Sequence, residues 1–200
     1  GQNDVSPWPR LELENTVLPL LSYDGDSRVR VAAFHALATA LRALPKNDQE
    51  APVSEGAFRY IYGSALDQRQ MVWIQTEALA LLPRLDPASL ATALKARLDQ
   101  PGAGDDLFVR RRAVLLLGEH LRQLPALADL LPTALRDSSS YVRQGLAEAL
   151  PAMPSSAALS TWEALALRDS TPQVRAAALL QIPSLLAEPA AMERVLAGLI

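Results

Sequence analysis

Four arginines occupy matching places in this chain, each directly after a valine and downstream of an aspartate: Arg30, Arg110, Arg143 and Arg175. A guanidinium presents a rigid fork of N–H donors that meets a carboxylate or a phosphate two bonds at a time. Carboxylates stand at the matching places Asp24, Asp67, Asp105, Asp137 and Asp169. These residues therefore offer either internal ion pairs or a charged surface for a ligand. The densest positive run, Arg110-Arg111-Arg112, follows Asp105-Asp106 after three residues, which describes a partly self-neutralised helix start. As a binding site it would take an acidic peptide or a phosphate. Trp73 stands where the second phrase has no arginine, and large aromatics anchor protein interfaces. Packing on a neighbouring repeat is the competing reading of this tryptophan.

Residues for covalent or metal chemistry are scarce. Cysteine is absent, which removes disulfides, thiolate metal sites and Cys nucleophiles. The two histidines, His35 and His120, fall in different repeats, so no metal and no cofactor is expected. Gly102-Ala103-Gly104 lacks the Lys-Ser/Thr of a phosphate loop and reads as a linker. No Gly-x-Ser-x-Gly elbow and no His-Glu-x-x-His helix occurs. The pairs Asp24/Asp26 and Asp105/Asp106 lie in turns, where helix capping explains them. The chain reads as a non-catalytic one.

The elements that must position these residues are legible from their recurrence. The phrases are Asp24-x4-Val29-Arg30, Asp67-x4-Val72-Trp73, Asp105-x3-Val109-Arg110, Asp137-x4-Val142-Arg143 and Asp169-x4-Val174-Arg175. Their valines are 43, 37, 33 and 32 residues apart, the period range of two-helix repeats stacked on one another. From each valine, offsets of four, seven and eight give an Ala/Leu stripe at helical spacing, for example Ala113, Leu116 and Leu117, with Thr76 and Gln181 as polar exceptions.

First helices are expected over approximately 11–22, 55–66, 87–98, 126–135 and 157–167, with a terminal helix over 189–199. Second helices are expected over 27–44, 70–85, 106–124, 140–153 and 172–186. Asp67, Asp137 and Asp169, or the serines after the last two, are placed to cap the second helices. Pro83, Pro151 and Pro183 fall where they would end or bend those helices. The connections 45–54 and 100–105 read as exposed loops.

Half the residues are hydrophobic and only 5% aromatic, a composition suited to helices rather than sheets. All 200 residues are expected to form a single domain, with repeats over approximately 11–44, 55–85, 87–124, 126–153 and 157–186. The net charge is −3, and neither half carries a basic excess: 10 basic against 12 acidic residues in 1–100, and 9 against 10 in 101–200. Nucleic-acid binding is accordingly not expected. No apolar run is long enough to span a bilayer, so no membrane insertion is expected. The pattern begins and stops within repeats, so a segment of a longer protein is expected, with the cytoplasm as the favoured compartment.

These phrases resemble those of the HEAT repeat family, from about Leu11 to Ile200, with Trp73 as the departure in the second copy. The resemblance implies an all-α fold: a right-handed α-solenoid of about five helix-turn-helix repeats plus the terminal helix. It also implies aspartates and arginines bonded across adjacent repeats, and a concave face, lined by second helices, that binds proteins. In that frame Asp24, Asp67, Asp105, Asp137 and Asp169 with Arg143 and Arg175 are ladder and cap residues. Arg30, Trp73, Arg110 and Arg111 are the candidate partner-binding residues. Glu119-His120 resembles, in reversed order, one of the His-Glu pairs of the HEAT-like deoxyhypusine hydroxylases, but those enzymes need several such pairs converging and this chain offers one, so that reading is rejected. The leading expectation is a scaffold for a partner protein or peptide, or for another domain of the same chain. The alternatives are a nucleic-acid-binding array, as in the DNA-alkylation-repeat glycosylases, and an accessory domain of an enzyme.

Overall fold

The computed structural model describes residues 10–23, 25–43, 53–99 and 106–185, and among these there is no strand. Asp24, Asp105, the terminal helix expected over 189–199, the connection 100–105 and most of 45–54 lie outside the described residues. The chain divides into two compact units, Gly1–Asp86 and Pro87–Ile200.

The first unit holds α1 (Arg10–Tyr23), α2 (Ser27–Ala43), α3 (Glu55–Leu66) and α4 (Val72–Leu85). Ser54 starts α3 by accepting the Ala57 N–H at 3.2 Å, leaving Glu55 in the positively polarised first turn. Helix α1 pairs with α2 and α3 with α4, while α1 packs on α3 and α2 on α4, giving two layers. Their apolar stripes meet in a core that fully buries Phe34, Leu37, Ile61, Ile74 and Leu79. Between α2 and α4, Arg42 pairs with Glu77 and Arg84 donates to the Arg42 carbonyl at 2.9 Å.

The second unit holds α5 (Pro87–Asp99), α6 (Leu107–His120), α7 (Leu131–Leu135), α8 (Ser140–Ala149), α9 (Ser155–Arg168), α10 (Pro172–Leu179) and α11 (Ile182–Leu185). Helices α6, α8 and α10 pack in sequence as one layer and α5, α7 and α9 contribute the other. This is the stacking of a solenoid, with every repeat resting on its neighbour. Gly118 sets the closest approach of α6 to α8, because a Cβ there would stand 2.6 Å from the Ala149 Cβ and 3.0 Å from its carbonyl oxygen. Trp162 of α9 is fully buried and its indole N–H donates to the Ala178 carbonyl at 3.1 Å, satisfying a group near the end of α10.

Several expected boundaries are corrected, mostly at prolines. The first helix of the fourth repeat is a 3₁₀ segment over Pro125–Leu130 that becomes α-helical only at Leu131, with Pro132 in its first turn. Helix α8 gives way to a 3₁₀ turn over Leu150–Ala152 at Pro151. The helix expected over 172–186 breaks after Leu179 and resumes at Ile182, just before Pro183. Pro83 behaves differently, since α4 continues to Leu85. Helix α6 stops at His120 rather than at 124, its chain turning through hydrogen bonds from the Gln123 and Leu124 N–H groups to the His120 carbonyl.

Candidate functional site: the second helices and the turns that start them

The turn aspartates act two residues ahead of themselves. Asp67, Asp137 and Asp169 accept the backbone N–H groups of Arg69, Ser139 and Thr171 at 2.9, 2.8 and 2.8 Å. Ser139 and Thr171 are the N-cap residues of α8 and α10, so these aspartates shape the turn rather than cap the first helical N–H. In the first repeat Asp26 accepts the guanidinium and the N–H of Arg28, and these bonds lower its carboxyl pKa from the ordinary aspartate value.

The same carboxylates receive arginines from the preceding repeat. Arg110 donates from Nε to Asp137 at 2.8 Å and from Nη2 at 3.4 Å, while its Nη1 reaches Asp106 at 3.4 Å. Arg143 donates from Nε and Nη2 to Asp169 at 2.7 and 3.1 Å, and from Nη1 to the Asp137 carbonyl at 2.6 Å. That bond to Asp169 raises the Arg143 pKa further. Burial pushes the Asp169 carboxyl up, but the Arg143 and Thr171 hydrogen bonds together outweigh it and hold the group below its ordinary value. Arg175 repeats the inner bond, from Nη1 to the Asp169 carbonyl at 2.9 Å. Arg30 is half-buried on α2, near enough to Asp26 and Tyr60 for its charge to act on both.

The second repeat has a different register from the one its valine suggested. Along α6 and α8 the residue before the buried pair is exposed and the pair itself is buried: Phe108 before Val109-Arg110, and Tyr141 before Val142-Arg143. In α4 that pattern falls on Trp73 before Ile74-Gln75. The turn after Asp67 is two residues longer, so Gln75, not Trp73, stands in the arginine position. The Gln75 amide donates to the Gln70 carbonyl at 2.5 Å, as the ladder arginines do to their own turns.

In this register three outward-facing aromatic residues share one repeat position. Trp73, Phe108 and Tyr141 are 38%, 54% and 38% exposed at one repeat position, although large aromatics are usually withdrawn from water. Within the first unit, Trp73 stands edge-on to the buried Phe34 ring, centroids 6.2 Å apart, and 6.1 Å from the His35 ring. With Met71, Val31 and Ala32 it lines an open, mostly apolar hollow of about 400 Å³. Within the second unit, Phe108 meets Tyr141 in an edge-to-face contact at 5.6 Å. Arg111 lies over the Tyr141 ring, its Cζ 4.4 Å from the centroid, and donates to the Tyr141 carbonyl at 2.9 Å and to Glu148 at 2.5 Å. Gly145 makes room for it, since a Cβ there would come within 2.8 Å of the Arg111 Cγ.

The expected binding residues are thus sorted. Trp73 is on the surface and Arg111 partly so, but Arg110 is only 4% exposed and its fork is taken up by Asp137, which removes it as a surface residue. The run Arg110-Arg111-Arg112 is no positive patch: its members diverge to Asp137, Glu148 and Glu119. Phe108 and Tyr141 were missed, although an aromatic directly before the repeat's apolar residue, as in Trp-Ile-Gln, Phe-Val-Arg and Tyr-Val-Arg, was the available signal. His120 bonds Gln123 at 3.0 Å, and no group of three or more His, Cys, Asp or Glu suited to a metal occurs among the described residues. None of their helices is long and apolar enough to cross a membrane.

A family model described as HEAT repeats matches residues 92–183. No curated protein and no solved structure matches the chain.

Proposed function

With residues 92–183 matched by a HEAT-repeat model, we propose that this chain is a non-catalytic scaffold that binds a partner protein or peptide through the concave face lined by its second helices. The observation that supports this is the exposure of Trp73, Phe108 and Tyr141 at a single repeat position. A rigid aromatic gives a large contact area for little side-chain entropy, which is why such residues dominate interface energetics. Each also has a scaffold of its own: Trp73 is braced by Phe34, and Tyr141 by Phe108 and Arg111. An anchor that is already ordered loses little freedom on binding. Arg111, although paired with Glu148, adds a charged rim beside the Tyr141 ring, and Arg30 marks the corresponding helix of the first repeat.

The test is co-purification of partners from native lysate on the wild-type chain, Trp73→Ala and Phe108→Ala/Tyr141→Ala, each with and without nuclease. A stoichiometric partner that survives nuclease and is lost from the variants, with far-UV circular dichroism unchanged, is the expected result. Equal recovery on all baits would sink the placement of the site. Recovery that vanishes with nuclease would replace the proposal with nucleic-acid binding.

A further inference from the structure

We propose that the turn edge of the second unit binds an acidic polypeptide segment, two of whose carboxylates are taken by Arg136 and Arg168. Both arginines directly precede a turn aspartate, in Leu135-Arg136-Asp137 and Leu167-Arg168-Asp169, and both line one open groove of about 470 Å³. Ser138 and Ser170, which follow the two aspartates, line it as well.

The charge balance of this groove is uneven. Asp137 and Asp169 are each held by two guanidinium bonds, from Arg110 and Arg143, and by a backbone N–H two residues on. Their negative charge is therefore spent within the fold. Arg136 and Arg168 are exposed, and among the described residues neither side chain has an ion pair or hydrogen bond. The groove consequently presents two uncommitted guanidinium forks, with two serine hydroxyls beside them. Forks of this kind pair with carboxylates in bidentate fashion.

Spacing indicates how the ligand would run. Neighbouring packed helices lie about 8–10 Å apart, and a polyproline II segment rises about 3.1 Å per residue with about three residues per turn. Carboxylates three residues apart on such a segment therefore share one face and span about the distance between successive turns. Nucleic acid suits this groove less well, because its affinity grows with the number of phosphates neutralised. Here two cations act alone, on a chain whose net charge is −3.

Fluorescence anisotropy of the whole chain with a fluorescein-labelled peptide centred on Asp-Ala-Ala-Asp tests the proposal. Binding is expected to exceed that of the Asn-Ala-Ala-Asn peptide, and Arg136→Ala/Arg168→Ala should weaken it by at least about tenfold. Arg136→Lys/Arg168→Lys, which keeps the charges and loses the forks, should fall between. Arg136→Glu/Arg168→Glu should reject the acidic peptide and accept Lys-Ala-Ala-Lys. Equal binding of the Asn peptide, or an undiminished affinity in the alanine variant, overturns the proposal. Tighter, arginine-dependent binding of an oligothymidylate than of the acidic peptide overturns it in favour of a nucleic-acid ligand.

Discussion

At Asp169 two opposing influences act on one carboxyl group, and the hydrogen bonds prevail over burial. Because its folded pKa is depressed, the stability it contributes is present above the ordinary aspartate value of about 3.9 and is lost as pH falls through the lowered folded value. Asp169→Asn keeps the acceptor for the Thr171 N–H but leaves the Arg143 fork without its counter-charge. Removing one partner of this partly buried, charge-assisted pair costs about 1–3 kcal/mol, and the lower end is expected because Arg143 retains the Asp137 carbonyl. Urea denaturation at neutral pH should show that loss, and the gap between variant and wild type should close on acidification below about pH 4. A gap independent of pH would mean that the ion pair is not its source. The arginine and aspartate positions of this ladder were readable in the sequence because each recurs at one place in a repeat. The inward aim of Arg110 was not, because three consecutive arginines look alike until the helix sends them to Asp137, Glu148 and Glu119.

Helices show the same limit in another form. Ala and Leu periodicity made the two-helix repeats legible, and α3 runs over Glu55–Leu66 as its pattern indicated. The register of α4 was hidden because Val72, two residues ahead of the buried Ile74, is itself apolar and completes the repeated phrase. Glycines were equally ambiguous, since only packing separates a close approach from open space. At Gly118 an added methyl meets Ala149 at 2.6 Å, while at Gly63, exposed at the start of the last turn of α3, nothing lies within 4 Å. Alanine raises helix propensity at both sites by up to about 1 kcal/mol. Gly63→Ala is therefore expected to stabilise by that amount. At Gly118 the overlap with α8, costing about 1–3 kcal/mol, should outweigh the gain and make Gly118→Ala destabilising. Thermal melts of the two variants check the pair, and a stabilised Gly118→Ala would show that α6 and α8 separate at little cost. Trp162→Phe, which loses the bond to the Ala178 carbonyl and leaves a cavity where the pyrrole half of the fully buried indole stood, should cost about 2–4 kcal/mol in the same assay.

Over the whole molecule, the question is whether stability is shared. A repeat cannot bury its apolar stripe alone, so each draws much of its stability from the interface with its neighbour. Where interface contributions dominate, local loss spreads and the array melts as one; where they are weak, segments melt separately. The reading of residues 1–200 as a single domain predicts the first behaviour. The three tryptophans allow a direct test, since Trp162 alone belongs to the second unit. In a Trp8→Phe/Trp73→Phe chain, fluorescence reports on Trp162 while far-UV circular dichroism reports on all helices. Trp162 is fully buried, so its emission should shift sharply when its surroundings open. Coincident urea midpoints from the two signals are expected of one cooperative domain. A helical transition that occurs while the Trp162 emission stays constant would instead establish that the two units unfold independently. Partner binding at Trp73 would then leave the stability of the second unit unchanged, because ligand binding stabilises only the cooperative unit that carries the site.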